Sequence, residues 1–208
     1  MKVLIVSDTH RQNENFMQVM DREEPIDLLI HCGDIEGSEY LISRRAGCPV
    51  HMVAGNNDFF SDLPREKEFQ IGKYKVLLVH GNTYGVSMGS QELKREARDR
   101  GVDIVMYGHT HKPVVDQDRD IIAVNPGSLT YPRQEGRNPS YIVMTITDGI
   151  KQDVSFEIRY YILTEPAAHA SIRTEQLRQI CFYLWCLWYA ICTTEMMKKV
   201  TITNEKMR

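Results

Sequence analysis

The sequence is short of several things, and each shortage narrows the field. It has little net charge: 28 acidic against 25 basic residues leave a formal −3. Nothing global therefore draws it to nucleic acid or to an anionic membrane, and an anionic substrate would have to be attracted by a local charge. No Lys/Arg-rich stripe with interleaved aromatics is present; the basic residues of "LKREARDR" are interrupted by Glu96 and Asp99 and read as a solvated helix face. The cysteines Cys32, Cys48, Cys181, Cys186 and Cys192 are odd in number and none has zinc-ribbon spacing, which argues against a disulfide framework. Reduced thiols in a cytoplasmic protein are the expectation. The opening "MKVLIVSDTH" is charged too early for a leader and reads as a first strand. Internal repeats and low-complexity tracts are missing as well.

What is present is a core: 42% of the residues are apolar. The first third alternates strand and helix. "KVLIVS", "DLLIHCGD" and "PVHMVAGNND" read as strands, and "NENFMQVMDREE" and "GSEYLISRR" as the helices between them, with Phe16, Val19 and Met20 on one face. Such units imply a parallel sheet. "EFQIGKYKVLLVHGN" reads as two strands turning at Gly72 and Lys73, "SQELKREARDRG" as a helix ending near Gly101, and "VDIVMY" as a strand. The short strands "KPVVDQ", "DIIAVNP", "SYIVMTIT" and "QDVSFEIRYYIL" suggest a second, largely antiparallel sheet. The expected architecture is α/β, a four-layer α/β/β/α sandwich of two sheets with helices outside.

From Thr164 the pattern stops, so the domain is drawn over 1–163 and an extension over 164–208. Ile180 to Cys192 is apolar at every position. As a helix it would span roughly 20 Å, short of the ~30 Å hydrocarbon core. A helix docked on the domain or on a second copy of the chain is expected, against membrane contact or an extension foreign to the domain; no membrane span is expected.

The polar residues fall at strand exits. Asp8 and His10 follow the first strand, Asp34 the second and Asn56 the third; His80 closes another apolar strand, and His109 and His111 follow "DIVMY". In open α/β sheets the carboxyl ends of the strands form the binding crevice. Each fragment alone is weak, since a lone histidine is more often structural; five fragments with compatible donors point to a metal site.

Taken in order, "DTH … GD … GNND … HG … GHTH", with "NPGSLTYPR" behind it, resembles the calcineurin-like metallophosphoesterase family, in particular its small bacterial and archaeal phosphodiesterase branch. The likeness covers about residues 1 to 160. It implies the metallophosphoesterase fold, with two mixed sheets, and a two-metal site. Asp8, His10 and His111 would hold one ion, Asn56, His80 and His109 the other, and Asp34 would bridge them. It implies a phosphodiesterase in which a metal-bridging hydroxide attacks a small phosphate ester.

Formal counting agrees with that implication. Two divalent ions bring about +4, the two carboxylates leave about +2, and such a centre lowers the pKa of bound water toward ~7. Mixed imidazole, amide and carboxylate donors suit manganese, iron, zinc, nickel or cobalt better than calcium, with manganese named first. Two departures from the family stand out. Asn57 occupies a position where the family often has a histidine that assists the leaving group, and asparagine cannot act as a general acid near neutral pH. Arg11 stands where glycine is common; it either contacts the substrate phosphate or faces solvent. Arg133 is a further rim candidate beside a structural reading. His31 is expected to be structural or to stand behind a ligand, Asp58 to orient a ligand or cap the next segment, Asn125 to Ser128 to shape a turn with backbone donors, and His51 and His169 to take no part. Two other functions stay open: a protein-interaction scaffold on the same fold without catalysis, possible through the apolar 180–192 stretch as a homo-oligomer contact, and a nuclease.

Overall fold

The computed structural model describes residues 1–147 and 153–160. The expected boundary at 163, the apolar segment 180–192, His169 and the three later cysteines lie outside the described residues. In chain order the elements are β1 (Lys2–Val6), α1 (Glu14–Glu23), β2 (Leu28–His31), α2 (Glu39–Ala46), β3 (Val50–Met52), β4 (Glu66–Ile71), β5 (Tyr74–Val79), α3 (Gln91–Asp99), β6 (Ile104–Met106), β7 (Pro113–Gln117), β8 (Ile122–Pro126), β9 (Ser140–Thr147) and β10 (Asp153–Tyr160).

Two mixed five-stranded sheets result, ordered β10-β9-β1-β2-β3 and β4-β5-β6-β8-β7. In the first, β1, β2 and β3 pair in parallel while β9 and β10 run antiparallel. In the second, β5, β6 and β8 are parallel and β4 and β7 antiparallel. This corrects the reading of a parallel sheet followed by a largely antiparallel one. β9 shows the reason. Its Ile142, Met144 and Ile146 pack in the core between the sheets, while Tyr141 and Val143 pack with the helices on the other side. A strand apolar on both faces needs cover on both, and its place beside β1 supplies that.

Strand alternation builds the layers. Val3, Ile5, Ile30 and Cys32 of one sheet meet Val76, Leu78, Ile104 and Met106 of the other. Leu4, Val6 and Leu29 turn the opposite way, onto Phe16, Val19 and Met20 of α1 and Ile42 of α2. Leu77, Val79 and Val105 pack against Leu93 and Ala97 of α3. Phe16 is fully buried, so its truncation to alanine would cost about 3–5 kcal/mol.

α3 keeps its expected solvated face, with Arg95 and Arg98 exposed, except at Lys94. Lys94 is buried and pairs with Asp116 at 2.6 Å, and Arg98 reaches Asp118 at 2.5 Å and Asp120 at 3.0 Å. Arg95 pairs with Glu92, and Arg100 with Glu96 and Glu66. The helix basic charge is consumed within the chain. Among the described residues no helix is long and apolar enough to cross a membrane.

Candidate metal centre

Parallel pairing sends β1, β2 and β3 out at one end of their sheet, and β5 and β6 likewise in theirs. The residues that follow these strands converge on one rim. Asp8, His10, Asp34 and His111 bring one potential ligand atom each to within 4.8 Å of one another. Beside them, the Asn56 Oδ1 lies 3.0 Å from His80 Nε2 and 2.9 Å from His109 Nδ1. Asp34 stands between the groups, with its Oδ2 3.9 Å from His10 Nε2 and 3.5 Å from His80 Nε2. All seven side chains singled out in the sequence are thus gathered in one place.

The hydrogen bonds around the rings fix which nitrogens are free. His111 donates its Nδ1–H to the Tyr131 carbonyl at 2.7 Å, and His80 donates its Nδ1–H to the Cys32 carbonyl at 2.8 Å. A carbonyl can only accept, so the ring must donate there. His10 Nδ1 lies 2.7 Å from the Glu36 carboxylate and donates for the same reason. In neutral His10 and His111 each Nε2 then carries a lone pair. The His10 and His111 Nε2 atoms face one another at 3.4 Å, and the buried Asp8 Oδ1, 3.1 Å from His111 Nε2, has no hydrogen-bond donor. With both rings neutral, these three acceptors face one another with no donor between them, an arrangement that a cation would relieve. The donor set therefore fits a metal.

The electrostatics agree. Burial pushes the Asp34 carboxyl up, but the His80 hydrogen bond and charge, with two donors from Asn57, outweigh it and hold the group well below the usual carboxylate range. Burial works against charge on His80, yet the Asp34 hydrogen bond and the charges of Asp8 and Asp34 raise its pKa. Burial first, and the neighbouring His80 second, push His109 down. Burial carries His31 down to about 4. His31 stays neutral, accepting from the Gly33 amide at Nδ1 and donating through Nε2 to Thr9 Oγ1 at 3.1 Å. It braces the loops and reaches no ligand position.

Backbone strain is concentrated here. Asp8, His10, Arg11, Asp34, Glu36, His109 and His111 all have positive φ, between 44° and 66°. Such conformations cost non-glycine residues about 1 kcal/mol or more, and the surroundings hold them. The Asp58 carboxylate accepts from the backbone amides of Ile35, Glu36 and Gly55, locking the Asp34 turn to the Asn56 turn. Ser128 Oγ donates to the Asp8 carbonyl at 2.8 Å, and Thr130 Oγ1 to the Thr9 carbonyl at 2.8 Å. Asn125 Nδ2 donates to the Gly108 carbonyl at 2.6 Å. The segment from Asn125 thus contributes through side chains, where backbone donors were expected. Two glycines are required by close approach. A Cβ on Gly55 would lie 2.1 Å from Asp34 Oδ1, and one on Gly108 2.1 Å from Ser7 Oγ.

The remaining candidates fall as follows. Asn57 donates to Asp34 twice, from its amide at 2.9 Å and from Nδ2 at 2.7 Å, so it orients that carboxylate. Arg11 is exposed and donates through Nε to the Glu36 carbonyl at 3.0 Å, on the wall of a cavity it shares with Asn57, Phe59 and Phe60. His51 stacks on Phe69 away from the centre, at 3.9 Å between ring centroids. Three contributors were missed: Glu36, Tyr131 and Thr9. Glu36 could have been suspected from "GDIE", an acid two residues beyond a ligand candidate; Tyr131 acts through its carbonyl, which no side-chain pattern announces.

Comparison with known proteins places these motifs among relatives. Residues 1–149 match the family model for the calcineurin-like phosphoesterase superfamily domain. A probable metallophosphoesterase of Methanocaldococcus jannaschii is 37% identical over 136 residues, covering 64% of this chain and 70% of its own. A phosphodiesterase of the same organism is 28% identical over 145 residues, 61% of this chain and 83% of its own. The crystal structure of a predicted phosphoesterase from Streptococcus pneumoniae superposes with a TM-score of 0.64 at 27% identity, over 79% of this chain and 93% of that one.

Proposed function

The chain belongs to the calcineurin-like phosphoesterase superfamily, and from that premise we propose that it is a metal-dependent phosphodiesterase acting on small phosphate esters. Asp8, His10, Asp34 and His111 would hold one divalent ion, and Asp34, Asn56, His80 and His109 a second. The observation that carries this reading is the opposed pair of His10 and His111 Nε2 atoms beside the donorless Asp8 Oδ1. When bound, the ions supply Lewis acidity toward the phosphate and a water of pKa ~7. Manganese leads the candidate ions, with iron, zinc, nickel and cobalt behind it.

The chain's own residues divide the remaining work. Glu36, Tyr131 and Cys32 fix the tautomers of His10, His111 and His80 and keep each Nε2 aimed inward. Asn57, through its backbone amide and its Nδ2, holds the Asp34 carboxylate in one orientation. With only two carboxylates against two divalent ions the centre keeps about +2, which draws a phosphate anion to an acidic protein. Nothing at position 57 can protonate a departing alkoxide, so esters with good leaving groups are favoured. The relative named as a phosphodiesterase supports diesters over monoesters. A nucleic-acid substrate is disfavoured because the α3 basic residues are spent on carboxylates.

The test is a metal-reconstituted screen of phosphate mono- and diesters with an Asp34→Asn control. Diester hydrolysis that chelation abolishes and the variant lacks is expected. Equal turnover by purified Asp34→Asn would remove the shared-carboxylate assignment.

A further inference from the structure

A cavity of about 560 Å³ lined by Thr130, Tyr131, Pro132, Arg133 and Arg137 abuts the metal centre and takes no part in it. Its volume lies within the ~300–1,000 Å³ of small-ligand sites. It is bolted to two of the histidines. The Arg133 amide donates to the His111 carbonyl at 3.0 Å, the Tyr131 carbonyl accepts from His111 Nδ1 at 2.7 Å, and the Tyr131 ring lies 5.1 Å from that of His10. A molecule whose phosphate sits at the centre could extend into this space.

The cavity carries two positive charges, whereas several arginines elsewhere have theirs neutralised. Arg45, Arg95, Arg98, Arg100 and Arg159 are each paired with carboxylates. Among the described residues neither Arg133 nor Arg137 has an ion pair, nor any side-chain hydrogen bond; Glu135, between them in sequence, pairs with neither. Two exposed guanidinium groups free of carboxylates leave uncompensated positive charge beside the cavity. The backbone adds a second observation. Of the described non-glycine residues with positive φ, Arg137 (φ 46°) is the one outside the turns of the metal centre. Strain of this kind persists where surrounding structure imposes it, and it gathers at ligand-holding positions.

We infer that this cavity is a subsite for a second phosphate carried on the substrate, so that the preferred diester bears a terminal phosphate on the arm that lies across Tyr131. The inference deepens the phosphodiesterase reading and rests on it for the identity of the first phosphate. Arg133 and Arg137 grip the terminal phosphate through their planar forks, while the scissile diester occupies the metal centre.

The experiment has a binding arm and a turnover arm, both on the full-length chain. In the first, thymidine 5′-monophosphate and thymidine are titrated calorimetrically into metal-free protein, where the arginines alone can favour the phosphate. The monophosphate should bind about tenfold more tightly, the factor a charged hydrogen bond supplies, and Arg133→Gln with Arg137→Gln should erase that preference. Arg137→Lys should retain part of it, and unchanged circular dichroism separates loss of binding from loss of fold. In the second arm, metal-loaded enzyme cleaves a thymidine dinucleotide with and without a 5′-terminal phosphate. The ratio of kcat/KM should favour the phosphorylated probe through KM and fall in the glutamine variants. Equal binding of thymidine and its monophosphate by wild type, or a preference that survives both glutamines, overturns the subsite. An arginine-dependent preference in a protein that cleaves no diester with any metal would keep the subsite and remove the phosphodiesterase reading.

Discussion

The Nε2 atoms of His10 and His111 stand 3.4 Å apart, each ring having spent its Nδ1 proton on an oxygen of Glu36 or Tyr131. As neutral imidazoles, neither can relieve the other by donating. A divalent cation between them would compensate both, and the strength with which they would hold it depends on the groups behind them.

Glu36 is the accessible member of that backing pair. Glu36→Gln should weaken metal affinity by about 10-fold or more, in the range found for outer partners of ligating histidines. Competition between the protein and a chromophoric chelator would measure it. An unchanged dissociation constant would mean that the Glu36 contact does not orient His10.

Asn57 sets the second expectation. Because its amide is committed to Asp34 and cannot supply a proton, rates across aryl and alkyl diesters should fall steeply as the leaving-group pKa rises. A flat series with chemistry rate-limiting would show that another group protonates the leaving oxygen.

Gly55 tests how tightly the turns interlock. A methyl there would overlap Asp34 Oδ1 at 2.1 Å, so Gly55→Ala should lower stability by about 1–3 kcal/mol and impair metal uptake together. Denaturant unfolding and metal titration on the same preparation provide the check; a variant of wild-type stability and affinity would refute the close approach.

Glu23 governs acid stability far from the site. It is buried among Lys2 at 2.9 Å, Arg159 at 2.6 Å and Tyr141 Oη at 2.7 Å. Burial pushes its pKa up, yet these partners prevail and bring it from 4.5 to about 2. The folded value is depressed, so its stabilisation is complete above 4.5 and is lost as pH falls toward 2. It amounts to about 3 kcal/mol. Glu23→Gln should unfold at lower denaturant at pH 7, with a shallower loss of stability on acidification; parallel pH profiles would sink the claim.

Much of this was legible in the sequence because strands with strong apolar runs announce both themselves and their ends. Asp8, His10, Asp34, Asn56, His80, His109 and His111 stood out by their positions at strand exits and by the order of their motifs, and the structure gathers them on one rim, since a donor directly after such a run has nowhere else to go. Pairing direction was less legible. β9 follows the strands of one sheet in sequence and joins the other, and only its two apolar faces, Ile142 on one and Tyr141 on the other, explain it. Lys94 read as solvated because charge is visible in sequence while its partners Asp116 and Asp118 are remote. Tyr131 was hidden more completely, since its contribution is a carbonyl that every residue owns.

The left-handed turns that carry Asp8, His10, Asp34, His109 and His111 have one further consequence. Durability and readiness pull against each other in this molecule. Glycine at those positions would relax the chain while deleting the donors, so heat resistance has to come from elsewhere, and occupancy by ions is its natural source. The melting temperature should therefore follow the divalent cation supplied.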